Sequence, residues 1–140
     1  MKTFKLFLIL GILFAIINQS CEGTKCRHDY KVTIVNNDIK RVYYHIYWNY
    51  PDTSIGEYNP IHNGTDGLST GESFVIGSTL GFCWENWLDS GKKQFVYFFD
   101  ADSLALIPWD TIRKTQRGLL ERREINLVYL NQHNFIVTYP

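Results

Sequence analysis

Residues 41–48 alternate two sets of large side chains, and this alternation constrains the fold more than any other feature of the chain. A period of two residues is typical of a β-strand whose two faces meet different surroundings. The two sets are Val42, Tyr44, Ile46 and Trp48 on one face and Tyr43, His45 and Tyr47 on the other. Residues 30–35 show the same spacing, and Asn36, Asn37 and Asp38 supply turn chemistry between the two stretches. The pattern predicts a hairpin.

The rest of the chain predicts further strands and a few short helices. Strands are predicted at residues 72–77, 94–99, 119–125 and 135–139, and short helices at residues 83–88, 108–114 and 127–132. Residues 94–99 are apolar on both faces, which is typical of a buried central strand. Residues 50–71 contain prolines and glycines that break any period, and they predict a long irregular connection.

These elements predict a mainly β fold class, β-sandwich-like or α+β, with five to six strands and two or three short helices. The length of 140 residues favours one domain. We assign residues 1–20 to a signal peptide, residues 21–29 to a lipid-anchored tether and residues 30–140 to a single β-rich domain.

The first 20 residues have the pattern of an export signal. Lys2 and Lys5 form a positive start, residues 6–17 are apolar throughout, and Ser20 is a small residue at the processing site. The apolar run is shorter than the roughly 20 residues that span a bilayer. A buried core helix is the alternative, but such a helix needs a polar face and this run has none. We therefore expect an exported protein.

Cys21 follows this segment directly and is preceded by Ser20. The arrangement resembles the lipobox of bacterial lipoproteins, in which the enzyme that removes the signal peptide cuts before a cysteine that carries a diacylglycerol. The family prefers Leu three residues before the cysteine, where this chain has Asn18. Lipidation of Cys21 would hold the protein firmly, because several acyl chains bind a membrane much better than one. The alternative is ordinary cleavage nearby, which leaves Cys21 as a thiol.

If Cys21 carries lipid, Cys26 and Cys83 are the two cysteines that remain, in an oxidising compartment. A disulfide between them is one expectation, and two free thiols are the alternative. The chain has no Cys-x-x-Cys spacing, so the sequence gives no support for a zinc ribbon or a thioredoxin-like redox site.

Charge and histidine placement argue against nucleic acid and metal. Removing Lys2 and Lys5 from the 14 basic residues leaves 12 against 14 acidic ones, a formal net charge of −2 without a basic stripe. The four histidines stand singly, at His28, His45, His62 and His133. None has a partner four residues along, as a helical zinc site would. We expect no nucleic-acid partner, no metal site and no cofactor, and we identify no catalytic residue from the sequence.

Two groups of residues offer binding or catalytic alternatives. Asp100 and Asp102 follow the predicted central strand, where carboxylates can act as acid and base or cap the next turn. On the strand at residues 41–48, Tyr43 and Tyr47 on one face, together with Trp48 at the end of the strand, could present a ligand face, because exposed rings with polar tips are typical of sugar platforms and protein interfaces. The alternative is a two-sided core in which both sets of rings pack.

Several stretches resemble one known group of proteins. These are residues 94–104 (QFVYFFDADSL), 109–114 (WDTIRK), 134–140 (NFIVTYP), 35–37 (VNN) and 50–54 (YPDTS). Together they resemble small exported lipoproteins of unknown function from Bacteroidota, over nearly the whole mature chain. Phe135 stands where related chains place tryptophan. The resemblance implies an exported location and the fold class, and it brings no catalytic residue.

The sequence thus predicts a lipoprotein of the cell envelope with a non-enzymatic accessory or binding role. We expect its partners to be the membrane, through the N-terminal lipid anchor, and a glycan or an envelope protein, at the periplasmic or the cell-surface face of the outer membrane. The alternatives are a carbohydrate-binding module that uses the tyrosine face and a hydrolase that uses the strand-end aspartates.

Overall fold

A computed structural model describes residues 31–47, 51–62, 67–77, 83–88 and 91–140 of the chain. The predicted signal peptide, the whole predicted tether with Cys21 and Cys26, and Tyr30 lie outside these ranges, as does Trp48. Within them, no helix has the length and apolar character needed to cross a membrane.

The described residues form six strands in two three-stranded sheets, together with short helices. The strands are β1 (Val32–Asn36), β2 (Val42–Tyr47), β3 (Ser73–Ile76), β4 (Gln94–Asp100), β5 (Leu119–Ile125) and β6 (Ile136–Tyr139). The helices are α1 (Trp84–Leu88), α2 (Ala101–Leu106), α3 (Trp109–Thr115) and α4 (Leu127–Gln132). The mainly β, α+β prediction is confirmed.

The first sheet has the strand order β3-β1-β6 and the second has the order β2-β4-β5. In the first sheet β1 pairs antiparallel with β3 and parallel with β6, so that Ile34 lies between Phe74 and Val137. In the second sheet all pairs are antiparallel, and Phe98 lies between Tyr44 and Glu121. The central strands are therefore β1 in the first sheet and β4 in the second.

The predicted hairpin is wrong in its pairing, although both strands are present. β1 and β2 belong to different sheets. Buried apolar residues of both strands, among them Val32, Ile34 and Tyr44, enter one core between the sheets. The two strands therefore lie face to face instead of side by side. Alternation predicts that a strand has one buried face, but it does not say whether the next strand pairs with it or packs on it.

Asn36 lies where the chain crosses from the first sheet to the second. Its side chain is fully buried, and Nδ2 donates to the carbonyls of Lys40 at 2.7 Å and Leu68 at 2.9 Å. Oδ1 accepts from the amide of Asp38 at 2.9 Å. Leu68 in turn pairs with Val42, the first residue of β2. One buried amide thus links the end of β1, the crossing and the start of β2, because buried polar groups are stable only when bonded.

Strand β4 is buried on both faces over Gln94 to Phe99, as predicted for a central strand. Val96 and Phe98 face the core between the two sheets. Tyr97 and Phe99 face a second core on the opposite side. That second core also contains Leu104 and Ile112 of helices α2 and α3 and Ile55 of the irregular connection. The second sheet therefore has both of its faces covered.

Side-chain caps mark the starts of α2 and α4. The Asn126 side chain accepts from the amide of Tyr129 at 2.8 Å and begins α4 at the predicted residue. Asp100 caps α2 in the same way through the amide of Ser103. The sequence did not predict α2, because the polar residues after β4 indicated only the end of that strand and a turn.

Replacing Asn36 with alanine should lower the free energy of unfolding by about 2–4 kcal/mol, because the carbonyls of Lys40 and Leu68 both lose their donor. Urea denaturation measures this change. Asn37→Ala is the matched control. Asn37 is exposed and bonds Tyr139 through its main chain, so we expect a change within about 0.5 kcal/mol. Equal losses in the two variants would contradict the role given to Asn36.

Candidate binding pocket

The structure places the predicted tyrosine face inside the protein. Tyr47 is only 7% exposed and belongs to the second core, and Tyr43 is half-buried and packs against that core. Trp48 lies outside the described residues. Tyr43 and Tyr47 therefore do not form an open ring platform. The arrangement matches the two-sided core that the sequence left as the alternative, because helices α2 and α3 and residues 51–62 cover this face.

The strand-end aspartates do not converge on a common site. The carboxylate of Asp100 caps the N-terminus of α2. Hydrogen bonds from Ser103 hold the pKa of Asp100 below its usual range despite partial burial, and the charge of Lys40 lowers this pKa further. Asp102 is exposed in the first turn of the same helix. This is the capping arrangement, and the pKa of Asp100 is shifted in the direction opposite to the rise that a general acid needs.

The described cysteine and histidines are dispersed. Cys83 is buried at the start of α1 and takes part in a disulfide bond. The other two cysteines, Cys21 and Cys26, lie outside the described residues, so the Cys26–Cys83 pair stays a prediction. Burial lowers the pKa of His45, which sits half-buried between Tyr43 and Tyr47 on β2. Over the described ranges, no three His, Cys, Asp or Glu side chains come close enough to hold a metal ion.

A pocket of about 340 Å³ opens where the end of β2 meets the irregular connection and helix α3. This volume is at the lower end of the range for small-molecule sites, roughly 300–1,000 Å³. The lining residues are Tyr47, Asp52, Ser54, Gly56, Glu57, Tyr58 and Arg113. Of these only Tyr47 was a predicted site residue. Five of the others come from the connection, and Arg113 comes from α3.

Residues 53–57 are held by side chains from the second sheet and α3. The Tyr97 hydroxyl donates to the carbonyl of Thr53 at 2.9 Å. Arg113 Nε donates to Ile55 at 3.1 Å, and Trp109 Nε1 donates to Glu57 at 2.9 Å. Three successive odd-numbered carbonyls are thus bonded to three side chains. The segment pairs with no strand of the described part of the chain, yet its main chain is fixed at three points, and the side chain of Ile55 is buried beneath it.

Gly56 is required for the close packing of Tyr47 against this segment. A Cβ at position 56 would overlap the ring and the hydroxyl of Tyr47. Glycine lets main chain approach a neighbouring group without steric conflict. The phenol therefore ends at the wall of the pocket, directly against the main chain of the connection.

The hydroxyl of Tyr47 is buried and has no hydrogen-bond partner among the described residues. Leaving such a group unbonded costs about 1–3 kcal/mol. Tyr97, its neighbour with ring centroids 5.5 Å apart, has its own hydroxyl bonded to Thr53. Burial raises the pKa of Tyr47, and Arg113 opposes this rise. At neutral pH the group is therefore protonated, and it can both donate and accept.

Charges of both signs surround that hydroxyl. Asp52 accepts from the amide of Ser54 at 2.8 Å and from its hydroxyl at 2.9 Å, and these bonds lower the pKa of Asp52. Arg113 uses Nε on Ile55 and Nη1 on Asp110, which leaves Nη2 uncommitted toward the described residues. Glu57 adds a second carboxylate. The lining therefore has a formal charge of −1, with donors and acceptors side by side.

Tyr58 contributes an aromatic wall at the mouth of the pocket. Tyr58 is 68% exposed, more than any other aromatic residue in the described part of the chain. Aromatic residues in soluble proteins usually bury most of their surface. An open ring next to a polar pocket is consistent with a surface that contacts a ligand.

Some features of the sequence indicated part of this pocket. The length and irregularity of residues 50–71 indicated a functional or disordered connection, and Tyr58 belongs to the aromatic-rich part of the chain. The spacing of Asp52 and Ser54 is that of a side chain that bonds its own main chain two residues on. Nothing in the sequence indicated Arg113, since its role depends on how α3 packs.

A second cavity of about 310 Å³ lies between α1 and α4. Its walls are Leu88, Gly91, Asn126, Leu127, Val128 and Asn131. The side-chain oxygen of Asn126 caps α4. This cavity lacks the concentration of charged groups found around Tyr47, and we consider the Tyr47 pocket the candidate site.

Comparison of the chain with protein-family models, with curated proteins and with solved structures found no match in any of the three.

The two neighbouring tyrosines should respond differently to loss of the hydroxyl. Tyr97→Phe removes the donor to Thr53 and should lower the free energy of unfolding by about 1–2 kcal/mol. Tyr47→Phe removes a buried group without a partner, so the free energy of unfolding should stay the same or rise by about 1 kcal/mol. Chemical denaturation of both variants makes the comparison, and a larger loss in Tyr47→Phe would show that its hydroxyl is bonded in the folded protein.

Proposed function

We propose that this chain is a non-enzymatic binding protein of the cell envelope, exported and held at a membrane surface by lipid on Cys21. The observation that carries the binding role is the Tyr47 pocket, in which a buried hydroxyl, unbonded by any residue that the structure describes, meets charged groups on a fixed main chain. The volume falls within the range of small-ligand sites, in which convergent polar groups fix the orientation of the ligand.

The arrangement of carboxylates supports binding over catalysis. Asp100 caps α2, and Ser103 holds its pKa low. In the pocket, Asp52 is likewise held in its ionised form by Ser54. A general acid needs a pKa raised toward neutrality, usually through burial. Both carboxyls have the opposite shift, which suits the acceptance of hydrogen bonds from a ligand.

The location rests on the sequence features of residues 1–29. A positive start, an apolar run and Cys21 support export and lipidation, at the periplasmic or the cell-surface face of the outer membrane. Cys83 uses its sulfur in a disulfide. If Cys21 carries lipid, Cys26 is the cysteine left to pair with it. Five residues of extended chain plus a disulfide reach about 25 Å, so α1 would lie close to the membrane.

Intact mass of the protein extracted from membranes tests this proposal. We expect a chain that starts at Cys21, carries acyl groups and lacks two hydrogens. The lipid should be lost in Cys21→Ser, which should keep the disulfide. In the matched variant Cys26→Ser the lipid should remain, and Cys83 should become open to alkylation after denaturation without reductant.

The two variants also distinguish the alternatives. Loss of the disulfide in Cys21→Ser, with retention in Cys26→Ser, would show that Cys21 is the partner of Cys83. Lipidation of Cys21 would then be wrong. A lipid-free protein cleaved elsewhere would also overturn the anchored role and leave a secreted binding protein.

A further inference from the structure

We infer that the Tyr47 pocket binds a neutral saccharide, a ligand class that deepens the proposed binding function and rests on it. The inference depends on three observations: an unpartnered buried hydroxyl, a mixture of charged donors and acceptors, and an exposed aromatic ring at the mouth. Each one matches a different part of a sugar.

The polar groups suit a ligand with many hydroxyls. Each sugar hydroxyl can donate one hydrogen bond and accept others, as the Tyr47 hydroxyl itself can. Asp52 and Glu57 only accept, and Arg113 only donates. Adjacent hydroxyls on a sugar ring can use both kinds of group at once. Hydrogen bonds to these charged partners are stronger than bonds between neutral groups.

The balance of charge favours a neutral ligand. Two carboxylates and one guanidinium line the pocket, and Ser54 keeps Asp52 ionised through two hydrogen bonds. An anionic ligand would meet net repulsion from Asp52 and Glu57. A cationic ligand would gain from the net charge of −1, but it would be repelled by Arg113, which its bond to Ile55 holds in place, and it would lose its hydration shell on entry. A neutral polyol meets neither penalty, because it brings no charge that must be desolvated.

The exposed ring of Tyr58 suits the apolar side of a sugar. A pyranose presents C–H groups on one face and hydroxyls around its edge. The C–H face can stack on an aromatic ring while the edge bonds polar groups. Tyr58 follows Glu57 directly and lines the same pocket as the carboxylates and Tyr47, so one sugar ring could meet an aromatic surface and polar groups together.

The main chain around the pocket is fixed before any ligand arrives. Tyr97, Arg113 and Trp109 bond the carbonyls at positions 53, 55 and 57. A fixed site loses less conformational freedom on binding, which matters for a weakly binding ligand such as a sugar. The connection thus supplies the binding groups and the sheet and α3 hold them in place.

A glycan array is the first test. The full chain, purified from membranes in detergent, is applied to an array of neutral oligosaccharides of glucose, galactose, mannose and N-acetylglucosamine, with sialylated and uronic-acid glycans beside them. We expect binding to neutral members only. Calorimetry with the best neutral oligosaccharide then gives the affinity, and putrescine serves as the cationic probe.

Variants assign the binding to this pocket. Tyr47→Phe, Glu57→Gln and Tyr58→Ala should each weaken binding by about fivefold or more, the effect of losing one hydrogen bond or one ring contact. Tyr47→Phe is the most informative, since loss of an unbonded hydroxyl does not destabilise the fold. Asp102→Asn is the matched control for the carboxylates, because Asp102 is exposed on α2 and does not line the pocket. It should bind as the native chain does.

The outcomes separate the ligand class from the broader proposal. Failure of every neutral glycan to bind, or preference for anionic glycans or putrescine, would overturn the saccharide inference. The proposal of a lipid-anchored protein would not be affected, because the intact-mass measurement tests it separately. Binding that survives all three pocket variants would also overturn it. Hydrolysis of a bound glycan would keep the saccharide but contradict the non-enzymatic role.

Discussion

Strand β4 is apolar on both faces, and the rest of the structure depends on covering both of them. Val96 and Phe98 on one side and Tyr97 and Phe99 on the other are removed from water. Burying each large side chain contributes about 1.5–3 kcal/mol relative to leaving it exposed. One sheet packed on another can cover only one of these faces. The second face needs a different cover, and the chain supplies it with α2, α3 and the irregular connection.

That second cover explains the position of the pocket. A connection without strand partners must satisfy its main chain by other means, because buried carbonyls without donors are costly. Here Tyr97, Trp109 and Arg113 provide the donors. The cover ends at Tyr47, the last residue of β2, where the second core meets solvent. A buried phenol and exposed charges come together at that margin, and this gives the protein a polar pocket beside an aromatic core.

Much of the fold could be predicted from the sequence, and the exceptions have a common physical cause. The full burial of β4 and the starts of β5 and α4 depend on local composition and on caps such as Asn126, which lie within a few residues. The pairing of β1 depends on residues far away in the chain. Alternation predicts a buried face but leaves the partner open, so the crossing at Asn36 could not be distinguished from a hairpin.

The pocket was less predictable for the same reason. Each bond that holds the connection joins residues 44 to 58 positions apart. No periodic pattern carries such information. The alternation at residues 41–48 did indicate that Tyr47 shares a face with Tyr43, but whether that face is open or covered depends on α2, α3 and the connection together.

Nuclear Overhauser contacts of Tyr47 in the free protein test the central claim most directly, namely that residues 51–62 cover the second face of β4. The packing predicts strong contacts between the ring protons of Tyr47 and the α-protons of Gly56, together with contacts between the rings of Tyr47 and Tyr97. A Tyr47 ring with no contact to Gly56 and ready access to a soluble paramagnetic probe would contradict it. The tyrosines of β2 would then form an open face, and the pocket would not exist.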